Sequence, residues 1–146
     1  MWPEESSVKP EHTQMEVLTE QECLRLLTEH LPRVGRVGFS RYDWPVILPV
    51  NYHVTHGQVV FRTEIGSVLD ELTFGSERPG IAFEVDAVDP GWREGWSVLM
   101  QGTASEIRDG HELERLRSLP LQPWAPGDRP RFVRIEPSQI TGRRIR

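Results

Sequence analysis

The chain has 146 residues, with 17 basic and 22 acidic side chains and a formal charge of −5, a length that fits one domain and excludes a second of full size. A chain this long buries about two thirds of the surface it exposes when unfolded, and its one cysteine, Cys23, excludes an intramolecular disulfide framework. The acidic balance argues against a general nucleic-acid binder, and with no run of 18 apolar residues and no basic, apolar leader at the start, the reading is a cytoplasmic protein without a membrane partner.

Charge is unevenly spread. Residues 1–30 hold seven Glu against Lys9 and Arg25, whereas 129–146 hold six Arg against Glu136 alone. Such a tail suits phosphates or anionic surfaces, or it pairs with acids elsewhere in the chain.

Residues 1–17 show no sustained periodicity and read as a flexible N-terminal arm, with a single domain over 18–146. Thr19 and Glu22 have the spacing of a capping box, and Leu24, Leu27 and Leu31 form an apolar stripe that stops at Pro32, which predicts a helix. Cys23 flanks that stripe and reads as a small buried apolar residue. From Val34 the pattern is extended: VGRVGF, then PVILPVNYHV, a turn at His56-Gly57, and QVVFRT. Pro45 and Pro49 confine the second of these strands to an edge or a bulge. Val68, Leu69 and Leu72 have helical spacing, two strands follow in IAFEVDAV and GWSVLMQGTASEI, Asp109 caps a helix over 110–118, and RFVRIEPSQITG closes the series after a Pro-rich connector. The expected fold is mainly β: a six-stranded antiparallel split β-barrel with peripheral helices, since closure removes exposed edges.

Three places could carry chemistry. Arg62 and Thr63 end one strand and Ser67 opens the next helix, so a guanidinium, two hydroxyls and free helix N–H groups converge, as a phosphate requires. The same residues also suit a helix cap and a surface ion pair. Val50, Asn51 and Tyr52 lie on the strand broken by proline, and Trp96 and Ser97 lie at a strand entrance; each set suits either a planar ligand or the core. The five histidines show no metal-ligand spacing, and no nucleophile elbow, Walker loop or dinucleotide fingerprint occurs.

The series VGRVGF, P-V-ILPVNY, VVFRT--GS-LDEL, IAFEVD, GWSVLMQGTASEI, PW-PGDR and ITGRR resembles the pyridoxamine 5′-phosphate oxidase-like family of flavin-binding split barrels, in its compact bacterial form, over about residues 17 to 145. The resemblance implies an FMN-dependent oxidoreductase acting on a small-molecule substrate, assembled as a homodimer with flavin sites between subunits. Alternatives on the same fold are a non-catalytic flavin- or haem-binding protein and a deazaflavin-dependent reductase. By position, Arg62, Thr63 and Ser67 match the phosphate-binding residues, and Val50, Asn51 and Tyr52 the strand that passes along the flavin. Ser97 matches a flavin contact, and Arg143 and Arg144 approach the site; Trp124, in the irregular Pro-rich connector, suits either reaching across to a neighbouring subunit or packing under its own loop.

Two departures stand out. Val68 occupies the position where many relatives carry lysine, and the Arg-x-His element of the vitamin-forming oxidases is missing, which speaks against oxidation of pyridoxamine phosphate itself.

Overall fold

The computed structural model describes residues 14–63, 80–119 and 131–146. Its elements in chain order are β1 (Met15–Leu18), α1 (Glu20–Glu29), β2 (Val34–Arg41), β3 (Trp44–Thr55), β4 (Gln58–Thr63), β5 (Gly80–Asp89), β6 (Glu94–Glu106), α2 (Gly110–Arg117) and β7 (Arg131–Ile145). All pairings are antiparallel, and the order β1-β7-β4-β3-β2-β5-β6 closes through β6 with β7. Six strands therefore form the ring that the sequence suggests. The seventh, β1, takes Met15–Val17 out of the segment read as an arm and pairs Met15–Leu18 with Gly142–Ile145. The short helix expected after Gly66 and the Pro-rich connector with Trp124 lie outside the described residues.

The period of two along each strand sorts the side chains. Val37, Phe39, Val50, Tyr52, Val59, Phe61, Phe83, Val98, Met100 and Ile135 point into the ring and form its core. Helix α1 packs Cys23 and Leu27 against that core, with Leu24 half-buried beside them. Leu31, expected to continue the stripe, is exposed because the helix ends at Glu29, one residue before the His30 cap. A satellite cluster of Val60, Ile107, Leu116 and Phe132 joins α2 to the outside of β4 and β7.

Both ends of α1 are tied down. Thr19 and Glu22 exchange the two bonds of a capping box. At the other end, carbonyls that lack intrahelical donors are met from outside the helix: Tyr52 donates its hydroxyl to Leu27 O at 2.7 Å, and Arg33 donates to Thr28 O at 2.9 Å. Asp109, by contrast, begins α2 with its backbone alone; its side chain makes no capping bond, and its carbonyl accepts from Leu113.

Turns and prolines fit the ladder. His56 and Gly57 both have positive φ, as a two-residue hairpin turn requires, and Tyr42 and Asp43 adopt the same region without glycine. Tyr52 donates its N–H to Arg33 O, so alternation directs the N–H groups of Val50, Leu48 and Val46 toward β2 as well. Pro45 and Pro49 fall in the opposite set, on the edge that no described strand flanks, and so remove no ladder bond. Closure depends on one close approach. The β6–β7 register slips at Gln101/Gly102 against Gln139/Pro137, and a Cβ on Gly102 would overlap the Glu136 carbonyl. Gly102→Ala is expected to cost about 1–3 kcal/mol, seen as a lower urea midpoint at unchanged m-value, whereas Gly80→Ala, where a Cβ meets nothing within 4 Å, should leave the midpoint nearly unmoved.

Candidate functional site

The β3–β4 ladder pairs Tyr52–Thr55 with Gln58–Phe61 and stops there. Just past the last rung lie Val50 and Asn51 on one strand and Arg62 and Thr63 on the other, so the fold gathers five of the eight predicted residues around the point where two strands part. Not all of them face outward. Val50 and Tyr52 put their side chains in the core, with the Tyr52 ring edge-on to Phe83 at 5.1 Å. Burial pushes the Tyr52 phenol up to about 12, so it stays a donor to Leu27 throughout the working pH range. Strand alternation leaves Asn51 as the member of that trio whose side chain is on the outer face, while Val50 and Tyr52 take the core alternative that the sequence also allowed.

Arg62 and Thr63 leave β4 on opposite faces. The Arg62 guanidinium lies 4.9 Å from the centre of the Phe132 ring on the outside. Thr63 points inward; it is 1% exposed, and its hydroxyl oxygen makes no hydrogen bond among the described residues. A buried hydroxyl without a partner costs about 1–3 kcal/mol, so this atom marks a place where an acceptor is wanted. Beside it on β7, Arg131 donates to Glu106 at 3.1 Å. Ser67, Val68 and Trp124 lie outside the described residues.

The remaining two predicted residues sit together elsewhere. Ser97 and Arg143 are directly opposite each other on β6 and β7, on the outer face, with Asp86 of β5 opposite Ser97 on its other side. Arg143 is exposed; Arg144, one residue on, turns the other way, with its side chain near Glu16 at 3.9 Å. Strands β2 and β5 separate Ser97 from Asn51, about 14 Å across the sheet at ordinary strand spacing.

The outer face between these two groups holds a cluster that no motif announced. Arg36 donates to Glu84 at 3.1 Å and lies 3.9 Å from Asp86. Its only trace in the sequence is the Glu-x-Asp alternation of β5. Beyond the last β2–β5 rung at Gly38–Ala82 the two strands also part, leaving an open hollow of about 470 Å³ lined by small residues such as Gly38, Ser40, Gly80 and Ala82.

Comparison with known proteins agrees with this architecture. The family model described as pyridoxamine 5′-phosphate oxidase matches residues 19–144. The chain belongs to the pyridoxamine 5′-phosphate oxidase-like family. It is 38% identical over 132 residues to the uncharacterized protein Rv0080 of Mycobacterium tuberculosis, covering 88% of this chain and 84% of that one. Among solved structures, a Corynebacterium glutamicum protein provisionally named a pyridoxamine 5′-phosphate oxidase is 35% identical, with a TM-score of 0.76 and coverage of 90% and 92%. The FAD binding protein of Mycobacterium smegmatis is 32% identical, with a TM-score of 0.73 and coverage of 89% and 97%. No helix among the described residues is long and apolar enough to cross a membrane.

In this member of the family the outer-face cluster has a measurable electrostatic signature. Burial first, and then the hydrogen bond and charge of Asp86, raise the Glu84 carboxyl from 4.5 to about 7, against the opposing pull of Arg36. Folding thus favours protonated Glu84. The penalty for ionising it is absent below about pH 4.5, grows as pH rises, and is complete above about pH 7. Glu84→Gln, which keeps an acceptor for Arg36, should stabilise the fold at pH 8 by on the order of 1 kcal/mol after solvent screening and leave it unchanged at pH 4. Urea titrations at the two pH values check this; an equal shift at both would locate the effect in packing.

Proposed function

We propose that the protein is a flavin-dependent oxidoreductase that binds FMN where β3 and β4 part, acting on a small organic molecule. The observation that carries this reading is the Thr63 hydroxyl, buried without a hydrogen-bond partner among the described residues at the end of β4, one residue after Arg62, whose guanidinium lies on the opposite face. A phosphate lying off the end of β4 would accept from Thr63, and from Arg62 once its guanidinium swings from the Phe132 ring toward the strand end. Ser67, four residues further along the chain, is assigned to the same phosphate.

Asn51 and the open edge of β3 suit the remainder of the nucleotide, while Val50 and Tyr52 fix that edge from inside the core. Flavin supplies hydride or electron transfer when bound, so the protein needs to bind, orient and shield rather than provide an acid or base. Ser97 and Arg143 are assigned to the same ligand from a second copy of the chain, because within one chain β2 and β5 intervene. The protein is therefore proposed to act as a homodimer. Likeness to the Mycobacterium smegmatis FAD binding protein supports a flavin nucleotide, and the phosphate contacts proposed here are ones that FMN and FAD share.

Titration with FMN, FAD and riboflavin tests the assignment. A charge-assisted contact contributes about 1.5–3 kcal/mol, so Arg62→Ala should weaken FMN binding by roughly tenfold to a hundredfold. Riboflavin, which lacks a phosphate, should be nearly unaffected. Equal losses for FMN and riboflavin would place the phosphate elsewhere, and FAD binding far more tightly than FMN would reassign the cofactor. A protein that takes up flavin yet never turns over with any reductant and acceptor would be a binding protein instead.

A further inference from the structure

We infer that Arg131, the first residue of β7, is the cation that holds the flavin phosphate on the inward side of the β4 end, and that Glu106 positions it. This deepens the phosphate site proposed above and rests on it.

The Thr63 hydroxyl decides the face. It is buried on the inward side of the ring, so an anion that accepts from it lies on that side of the strand end. Arg62, one residue earlier, leaves β4 on the outside and lies against the Phe132 ring. The cation nearest in sequence is therefore on the other face. The β4–β7 ladder supplies one on the same face: Thr63 is directly opposite Arg131, and residues so paired project to one side with Cβ atoms about 5 Å apart.

Alternation along β7 agrees. Val133 and Ile135 belong to the core of the ring, and Phe132 belongs to the outer cluster under α2, so Arg131 falls in the inward set. An arginine in line with core residues needs a reason, because taking a charge out of water is costly unless it is well partnered. Glu106 gives part of that reason. One of its oxygens accepts from Arg131 at 3.1 Å and the other from Arg108 at 3.2 Å. The Arg131 and Glu106 side chains are only 22% and 16% exposed, whereas that of Arg108 is 67% exposed. Arg108 can therefore neutralise Glu106 by itself. When Arg131 turns toward a ligand, no covered carboxylate is left without a cation.

The ligand that fits is a phosphate group. Thr63 and Arg131 offer donors from the inward side, and Arg62 offers them from the outer side once it leaves the Phe132 ring. Together they reach different oxygens of one phosphate, and the planar fork of Arg131 matches two of them at once.

Titration of Arg131→Met and Arg131→Lys with FMN and riboflavin, alongside Arg62→Ala and Thr63→Val, tests the assignment. Methionine keeps the apolar stem, and Glu106 keeps Arg108. Arg131→Met should weaken FMN binding at least about tenfold and riboflavin binding by less than about twofold. Arg131→Lys should restore part of the preference for FMN, since lysine keeps the charge and loses the fork. Thr63→Val, which removes one hydrogen bond, should lower the same preference by about threefold to tenfold. A wild-type preference in Arg131→Met, with that preference lost in Arg62→Ala or Thr63→Val, would overturn the role of Arg131 and leave the flavin site standing. A wild-type preference in all three would overturn the site itself. Equal losses of FMN and riboflavin in Arg131→Met would make Arg131 a structural ion-pair residue and also overturn the inference. Should Arg131→Met fail to fold, Arg131→Lys decides: a loss of at least about threefold for FMN alone upholds the assignment, and an unchanged preference overturns it.

Discussion

Strand β7 is the constraint on which this structure depends. It pairs with β4 over Arg131–Ile135, with β1 over Gly142–Ile145 on the same edge, and with β6 along nearly its whole length on the other. Without it β4 and β6 would be open edges, and an antiparallel sheet of this size would expose ladder groups to any extended chain. A strand this long cannot follow a closed ring without bending. The bend falls at the bulge beside Gly102, where Pro137 lacks an N–H that a regular ladder would need. Glycine and proline at this point are thus parts of one device: the proline makes no demand on the ladder, and the glycine lets the Glu136 carbonyl come close.

Closure on one side permits parting on the other. A six-stranded ring of twisted strands leaves β3 and β4 to diverge beyond Tyr52–Phe61, and β2 and β5 to diverge beyond Gly38–Ala82. The first divergence is held open from inside. Tyr52 reaches from the last rung to the Leu27 carbonyl at the end of α1, and Arg33, just before β2, bonds the next carbonyl. The helix therefore anchors the strand edge next to Arg62 and Thr63, and the prolines at 45 and 49 keep that edge from being needed by the ladder. A ligand meeting this edge finds a backbone that is already fixed, so little ordering is required of the protein when it binds.

Much of this was legible because local rules and the fold agree. The capping box at Thr19 and Glu22, the His56-Gly57 turn and the edge position of the prolines all follow from residues that act over a few positions. The less legible parts depend on contacts across the sheet. Nothing in the sequence places Tyr42 and Asp43 in a left-handed turn, since neither is glycine or asparagine, and Leu31 looks like the next step of an apolar stripe although the helix has already ended. Strand β1 is too short and too polar, with Glu16 between Met15 and Val17, to stand out before its partner on β7 is known. For the site, adjacency in sequence does not separate ligand from core: Val50, Asn51 and Tyr52 read as a unit, and alternation places the side chains of Val50 and Tyr52 in the core and that of Asn51 outside. Residues as distant as Ser97 and Arg143 turn out to be directly opposite, a fact that only register supplies.

The arrangement also explains why a flavin fold can be so sparing of recognisable catalytic residues. On the proposed reading the redox step belongs to the cofactor, so selection acts on where the nucleotide is held and what approaches its exposed face. In this chain the residues assigned to hold it are drawn from strand ends and edges, where side chains are set by the ladder rather than by flexible loops. The Thr63 hydroxyl is the clearest case. A protein with no use for it would replace it with valine, which has nearly the same shape and no polar atom to leave unsatisfied inside a barrel. That it is a hydroxyl, buried where a strand ends beside an open edge, is most simply understood if its partner is a ligand.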